Sequence, residues 1–155
     1  MTTVVRSHQV LVHAPLQKAF DYVSDLTRHP EWSGGLKIEE VTPGPIGMGK
    51  EYQSRGEVAV QKNRPNTVQI SRYEPPHMFE FVAKDPDFGK VMHEFTFSEE
   101  NGGTLIRRKM TVNLNPLVAF AFQYFIYPFV GKPSMNRSML ALKNKLQEKT
   151  ANSTF

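Results

Sequence analysis

Between residues 36 and 114 the chain repeats one pattern six times: a run of alternating apolar and polar side chains, then a short break of turn-forming residues. The runs cover 36–42, 49–61, 66–74, 77–84, 88–98 and 104–114. The breaks hold Pro43, Gly44 and Pro45; Asn63, Arg64 and Pro65; Pro75 and Pro76; Asp85, Pro86 and Asp87; and Asn101 with Gly102. A period of two sends successive side chains to opposite faces of a strand. Breaks this short join antiparallel neighbours, since a parallel return needs a crossover of about a dozen residues or more. The pattern therefore predicts an antiparallel meander with one wet face and one buried face. Some other part of the chain has to cover the buried face.

Two flanking regions supply that cover. Alternation over 4–13 predicts a first strand, closed by Pro15, which has no N–H to give a ladder. Leu16, Phe20 and Val23 then share one helical face, and Asp25 is placed to cap a second short helix ending at His29 and Pro30. Beyond the meander, Asn115 and Pro116 make a helix start. Residues 117–130 hold four Phe, two Tyr and one strongly polar side chain, Gln123, and are expected to lie over the inner face of the sheet. Pro128, Gly131 and Pro133 predict a kink or split there. Ser134 is then placed to cap a second half with Met135, Met139, Leu142 and Leu146 on one stripe. Residues 1–150 read as a single domain and 151–155 as a frayed tail.

Composition removes several function classes. With no Cys among 155 residues, disulfides and thiolate metal sites are excluded. The first residues lack a basic stretch followed by an apolar one, and no run reaches the ~18 apolar residues of a membrane span, so a cytoplasmic protein is expected. A net charge of +4, scattered along the chain, fits a solvated surface better than a nucleic-acid interface. The five His, at 8, 13, 29, 77 and 93, have no ligand-like spacing, so neither a metal nor another cofactor is expected. There is no phosphate loop, nucleophile elbow or HExxH.

The turns also set registers. A two-residue turn at Asn101 and Gly102 pairs Glu100 with Gly103, which puts Phe97 opposite Ile106, Phe95 opposite Arg108 and His93 opposite Met110. The Pro75 turn places Ile70 opposite Phe81 and Arg72 opposite Phe79. A turn centred on Asp87 puts Phe81 beside His93 and Phe79 beside Phe95. The inner face then carries Val10, Val12, Ile38, Tyr52, Val58, Val68, Ile70, Phe79, Phe81, Phe95, Phe97, Ile106, Met110 and Val112. The polar residues of the same parity are His8, Tyr52, Ser54, Arg72, His93 and Arg108. A buried charge must be paired or wet. Arg108 is thus a candidate anchor for a carboxylate, phenolate or carbonyl oxygen. A bulge, an internal Glu or a place at a cavity mouth would give it a structural role instead. His93 is a candidate acid/base or hydrogen-bonding group, or a core histidine satisfied by a neighbour such as Tyr52. Tyr52 is either a hydroxyl donor in a pocket or a core aromatic. Trp32 is expected to plug one end of the core.

The element order resembles the helix-grip fold of the START-like, or SRPBCC, superfamily, in particular its polyketide cyclase/dehydrase branch. The resemblance rests on Val10 to Pro15, on Phe20 and Tyr22 to Asp25, and on His29 to Trp32. It continues through Val41 to Pro45, Gly47 to Gly49, Tyr73 to Pro76 and Gly103 with Thr104. It implies an α+β fold: a seven-stranded curved antiparallel sheet wrapped on a long C-terminal helix, two short helices after the first strand, and a hydrophobic cavity between sheet and helix. Three readings follow. One is a carrier of a small hydrophobic or amphipathic molecule (lipid, polyketide or steroid-like) held by Tyr52, Phe79, Phe81, His93, Phe95, Arg108, Met110, Phe122, Phe125, Ile126 and Phe129. The second is a cyclase or dehydratase using Arg108, His93 and Tyr52. The third is docking on a membrane or a protein through the aromatic helix; it ranks last because burial already accounts for that segment.

Overall fold

A computed structural model describes residues 1–34, 36–58, 61–85 and 89–152, with the side chains at 36, 57–58 and 61–64 left aside. Seven strands form one antiparallel sheet: β1 (Thr2–Val12), β2 (Leu36–Glu40), β3 (Glu51–Val58), β4 (Gln61–Glu74), β5 (Met78–Asp85), β6 (Gly89–Glu100) and β7 (Gly103–Leu114). Their order across the sheet is β1-β7-β6-β5-β4-β3-β2, so strands 2 to 7 are a meander and the first strand closes against the last. Between β1 and β2 lie helix α1 (Leu16–Ser24) and a 3₁₀ helix (Leu26–Glu31). The chain ends in one long helical element: α2 (Pro116–Ala121), a π-helical segment (Phe122–Gly131) and α3 (Lys132–Asn152). This is the helix-grip architecture expected from the sequence.

Local chemistry explains the joints. Asn101 (φ 49°) and Gly102 (φ 77°) take the left-handed conformations of a type I′ turn and pair Glu100 with Gly103. The Asp25 carboxylate accepts from the Thr27 amide and hydroxyl, starting the 3₁₀ helix. That helix runs one residue beyond Pro30 to Glu31, past the predicted end. Asn115 accepts from the Leu117 amide at 2.9 Å, with Pro116 as the first helical residue.

Registers follow the sequence closely on one side of the sheet. Phe97 faces Ile106, Phe95 faces Arg108 and His93 faces Met110. Phe81 faces His93, Phe79 faces Phe95 and Ile70 faces Phe81. Three expectations need correction. A bulge between Ile70 and Arg72 sets Arg72 against Glu80 and Tyr73 against Phe79, so Arg72 leaves the inner face and pairs with Glu74 at 3.1 Å. The predicted turn at Asn63 to Pro65 is strand: β4 runs through Pro65, which pairs with Arg55. The β4–β5 pairs begin at Thr67, so Pro65 sits where no second ladder asks for its N–H. Finally, of the expected kink or split at Pro128 and Pro133, the split does not occur: the chain stays helical through both. The wider π turn, bonded from i to i+5, takes up Pro128 without the clash its ring makes with the i−4 carbonyl of an α-helix. The Asp87 turn centre, and the side chain of Val58, lie outside the described residues.

The core has two parts. The larger joins Phe20, Val23 and Leu26 from the short helices and Met139, Leu142 and Leu146 from α3 to Val12, Tyr52, Val68, Ile70, Phe79, Phe81, Phe95, Phe97 and Ile106 of the sheet. The smaller joins Val4, Val112 and Leu114 to Ala119 of α2, with Phe122 packed at its edge. Because α1, the 3₁₀ helix and the second half of α3 already cover the larger core, the aromatic run is not buried over it. Leu117, Phe120, Tyr124, Phe125, Ile126, Phe129 and Val130 are exposed, and the π segment has no buried residue.

Candidate ligand site

Along β7 the inward residues change character between the two cores. Ile106 belongs to the larger and Val112 to the smaller, while Arg108 and Met110 between them are half-buried. Half-buried neighbours continue this stretch across the sheet: Arg6 and His8 on β1, Val91 and His93 on β6, and Ala83 on β5. A polar, incompletely covered strip therefore crosses the inner face where the helices leave it.

Arg108 is the centre of the strip. Its guanidinium carbon lies 5.4 Å from the Phe95 ring centre and 5.9 Å from that of Trp32, two cation–π contacts. Among the described residues no carboxylate lies within ion-pair distance of it, and its Nε is buried without a hydrogen-bond partner. Burial pushes its pKa down to about 10, which leaves it cationic at neutral pH. Its Nη2 donates to His93 Nδ1 at 3.4 Å. Accepting at Nδ1 places the His93 proton on Nε2.

His93 stacks on Phe81, with ring centres 4.8 Å apart. Burial first, then the Arg108 charge and His29, hold its pKa well below the ordinary histidine value, so it is neutral. His29 is buried beneath the same group. Its Nε2 donates to the Val23 carbonyl at 2.7 Å, and its ring contacts Trp32, Phe81 and Phe95. Burial lowers its pKa to about 3. At the open side, the Tyr127 hydroxyl of the π segment bonds His8 Nε2 at 2.6 Å, while His8 Nδ1 meets Asn136 Oδ1 of α3 at 3.2 Å. Arg6 lies over the Tyr127 ring at 4.8 Å. Arg6 and Arg108, with His8 and His93, thus line a strip bordered by a tyrosine clasp, and His29, Trp32, Phe81 and Phe95 lie buried behind Arg108. Such a group can receive an electron-rich oxygen at Arg108 and an apolar body against the half-buried Met110, Val91 and Ala83.

The structure brings together Arg108, His93, Phe81, Phe95 and Phe79 as the parity argument has it, with Met110 opposite His93. Tyr52 is fully buried on β3, where it neighbours Lys50 at 5.7 Å and shares no bond with His93 or Arg108. Among the described residues its hydroxyl has no hydrogen-bond partner, and burial raises its pKa. Phe122 is half-buried beside the smaller core, whereas Phe125, Ile126 and Phe129 point to solvent, contrary to their expected place over the Phe-rich sheet. The sequence reading missed His29, because strand parity says nothing about a short helix. It also missed Tyr127, whose only signal was its place in the aromatic run. Trp32 is buried as expected, and it caps Arg108 as well as the core. Two surface pockets of about 400 and 420 Å³ lie elsewhere, beside the Asn101 turn and between α1 and the end of α3. Among the described residues, no three His, Asp or Glu side chains group as a metal ion requires.

A sequence model described as polyketide cyclase/dehydrase and lipid transport matches residues 1–147. Solved structures share the fold at low identity. The Zhui aromatase/cyclase from Streptomyces sp. R1128 superposes with a TM-score of 0.75 at 13% identity, over 96% of each chain. Ara h 8.0201 gives 0.67 at 14% identity, over 95% of this chain and 99% of its own. The di-domain ARO/CYC StfQ of the steffimycin pathway gives 0.74 at 10% identity, with 96% of this chain matching 52% of that one. No curated protein matches the chain by sequence.

Proposed function

The chain belongs to the polyketide cyclase/dehydrase and lipid transport family, and from that premise we propose that it binds one small apolar or amphipathic molecule between its sheet and its C-terminal helix, with an oxygen of the ligand on Arg108. One observation carries the reading: a half-buried guanidinium with aromatic neighbours, no carboxylate partner among the described residues and an unsatisfied Nε. A cation in such surroundings costs stability unless something compensates it. A ligand carboxylate, phenolate or carbonyl supplies that compensation, and the apolar remainder of the ligand gains roughly 25 cal/mol per Å² buried, less the cost of ordering. The lipid, polyketide and steroid classes all fit this description.

A second reading, enzymatic cyclisation or dehydration, is favoured by His93. Held neutral, with Nδ1 engaged by Arg108, it has its Nε2–H free to donate a hydrogen bond to an enolate oxygen whose charge the guanidinium stabilises. Among the described residues Tyr52 makes no hydrogen bond with this pair, and it is left out of the proposed chemistry.

Native mass spectrometry of protein purified from its host, followed by titration with oleate and with an anthracene carboxylate, tests the first reading. Arg108→Met should weaken binding by about tenfold or more, the scale of one charge-assisted hydrogen bond, while leaving the melting temperature equal or higher. Unchanged affinity in that variant would remove Arg108 from the site. Turnover that disappears in His93→Ala while binding persists would select the enzymatic reading.

A further inference from the structure

The exposed aromatic run needs its own account. Leu117 is 77% and Phe129 75% exposed, and Phe120, Tyr124, Phe125 and Val130 are exposed with them on consecutive turns of one helical element. Phe120 contacts both Tyr124 and Phe125, with ring centres 4.9 and 6.2 Å apart, so the centre of the patch is continuous. Surfaces this apolar mark places that are covered in use.

Charge indicates by what. From Asn101 to Gln147 the chain has no Asp or Glu, although the remainder carries all 15. Over the same helical element stand Lys132, Arg137, Lys143 and Lys145, of which Lys132 and Arg137 are exposed. No helix among the described residues is long and apolar enough to cross a membrane. An aromatic and aliphatic patch followed along its helix by basic residues, in a segment free of acids, suits an element that lies in the headgroup region of an anionic bilayer. Tyr124 is suited to that boundary, with an apolar ring and a polar tip. A second copy of the chain fits less well. A two-fold interface through this patch sets the same basic rim against itself, whereas anionic lipid neutralises it. We infer that the helical face from Leu117 to Val130 is a peripheral docking surface for anionic membranes. This inference does not depend on the ligand reading.

The test is co-sedimentation of the full chain with phosphatidylcholine vesicles, with and without phosphatidylglycerol, at low and high salt. Binding is expected with the anionic vesicles and should weaken as salt rises. Phe125→Ser with Phe129→Ser should lower partitioning by about tenfold or more, because both rings leave the acyl boundary. Lys132→Glu with Arg137→Glu should lower it by a similar factor. All four positions are exposed, so circular dichroism melts should match the parent. Three results would overturn the inference. One is failure to bind anionic vesicles at low salt. A second is undiminished binding by the Phe double variant, which would reduce the effect to charge adsorption. The third is a concentration-dependent dimer in light scattering that the Phe variant dissolves, which would assign the patch to a second copy.

Discussion

His29 carries a titratable ring in surroundings that tolerate only its neutral form. It is 3% exposed, enclosed by Trp32, Phe81 and Phe95, with Arg108 near enough to oppose a second positive charge. Its folded pKa of about 3 lies below the unfolded value of 6.5. Above pH 6.5 both states are neutral and the group contributes no pH dependence. As pH falls below 6.5 the unfolded chain takes up a proton that the folded one refuses. Stability is then lost at about 1.4 kcal/mol per pH unit for each such histidine until pH reaches the folded pKa. His93, shifted the same way by burial and Arg108, adds to the slope. Urea unfolding between pH 7 and pH 5 should therefore show falling stability before most carboxylates titrate. His29→Phe should be less stable at pH 7, having lost the bond to the Val23 carbonyl, but its slope over that range should be shallower by one histidine's contribution, those of His93 and His8 remaining. A variant with the parental slope would show that His29 is not the group responsible.

At the scale of elements, the π segment is held to the sheet at few points. Tyr127 reaches back to His8 on β1, and Gly131, one π turn further on, leaves room for that ring: a Cβ there would meet Tyr127 Cδ2 at 2.9 Å. Tyr127→Phe should speed hydrogen exchange of the amides in 122–131 while lowering global stability by no more than about 1 kcal/mol, the worth of one hydrogen bond. Equal exchange in both proteins would mean that packing alone holds the segment. This contrast also explains what the sequence made legible. Turn chemistry at Asn101 and period-two alternation are local, so the registers through Phe95, His93 and Arg108 could be read directly. The bulge at Ser71 adds one residue to the strand without changing composition, which is why Arg72 was placed on the wrong face. The position of 117–130 depended on what else occupied the sheet. Phe20, Leu26, Met139 and Leu142 had already filled the larger core, and hydropathy alone carries no information about that competition.

For the whole molecule, the two cores with a half-buried strip between them define where a ligand acts on stability. A molecule bound only by the folded state at 100 times its dissociation constant adds about 2.7 kcal/mol. At roughly 2–4 °C per kcal/mol for a chain of this size, the melting temperature should rise by about 5–10 °C with a saturating carboxylate ligand. The alternative is an interior already filled by side chains, and Ala83 separates the two. It is half-buried on the inner face, pairs with Val91 across β5 and β6, and so lies where the two cores approach each other. If the strip is ligand space, Ala83→Leu fills part of it: the ligand-free protein should melt at the same temperature or higher, and the ligand-induced rise should shrink. In a dry, fully packed interior the added carbons have nowhere to go, and the substitution should cost about 1–3 kcal/mol with or without ligand. Differential scanning calorimetry of the parent and Ala83→Leu, each with and without oleate, distinguishes these outcomes, because the two interiors predict opposite signs for the ligand-free change.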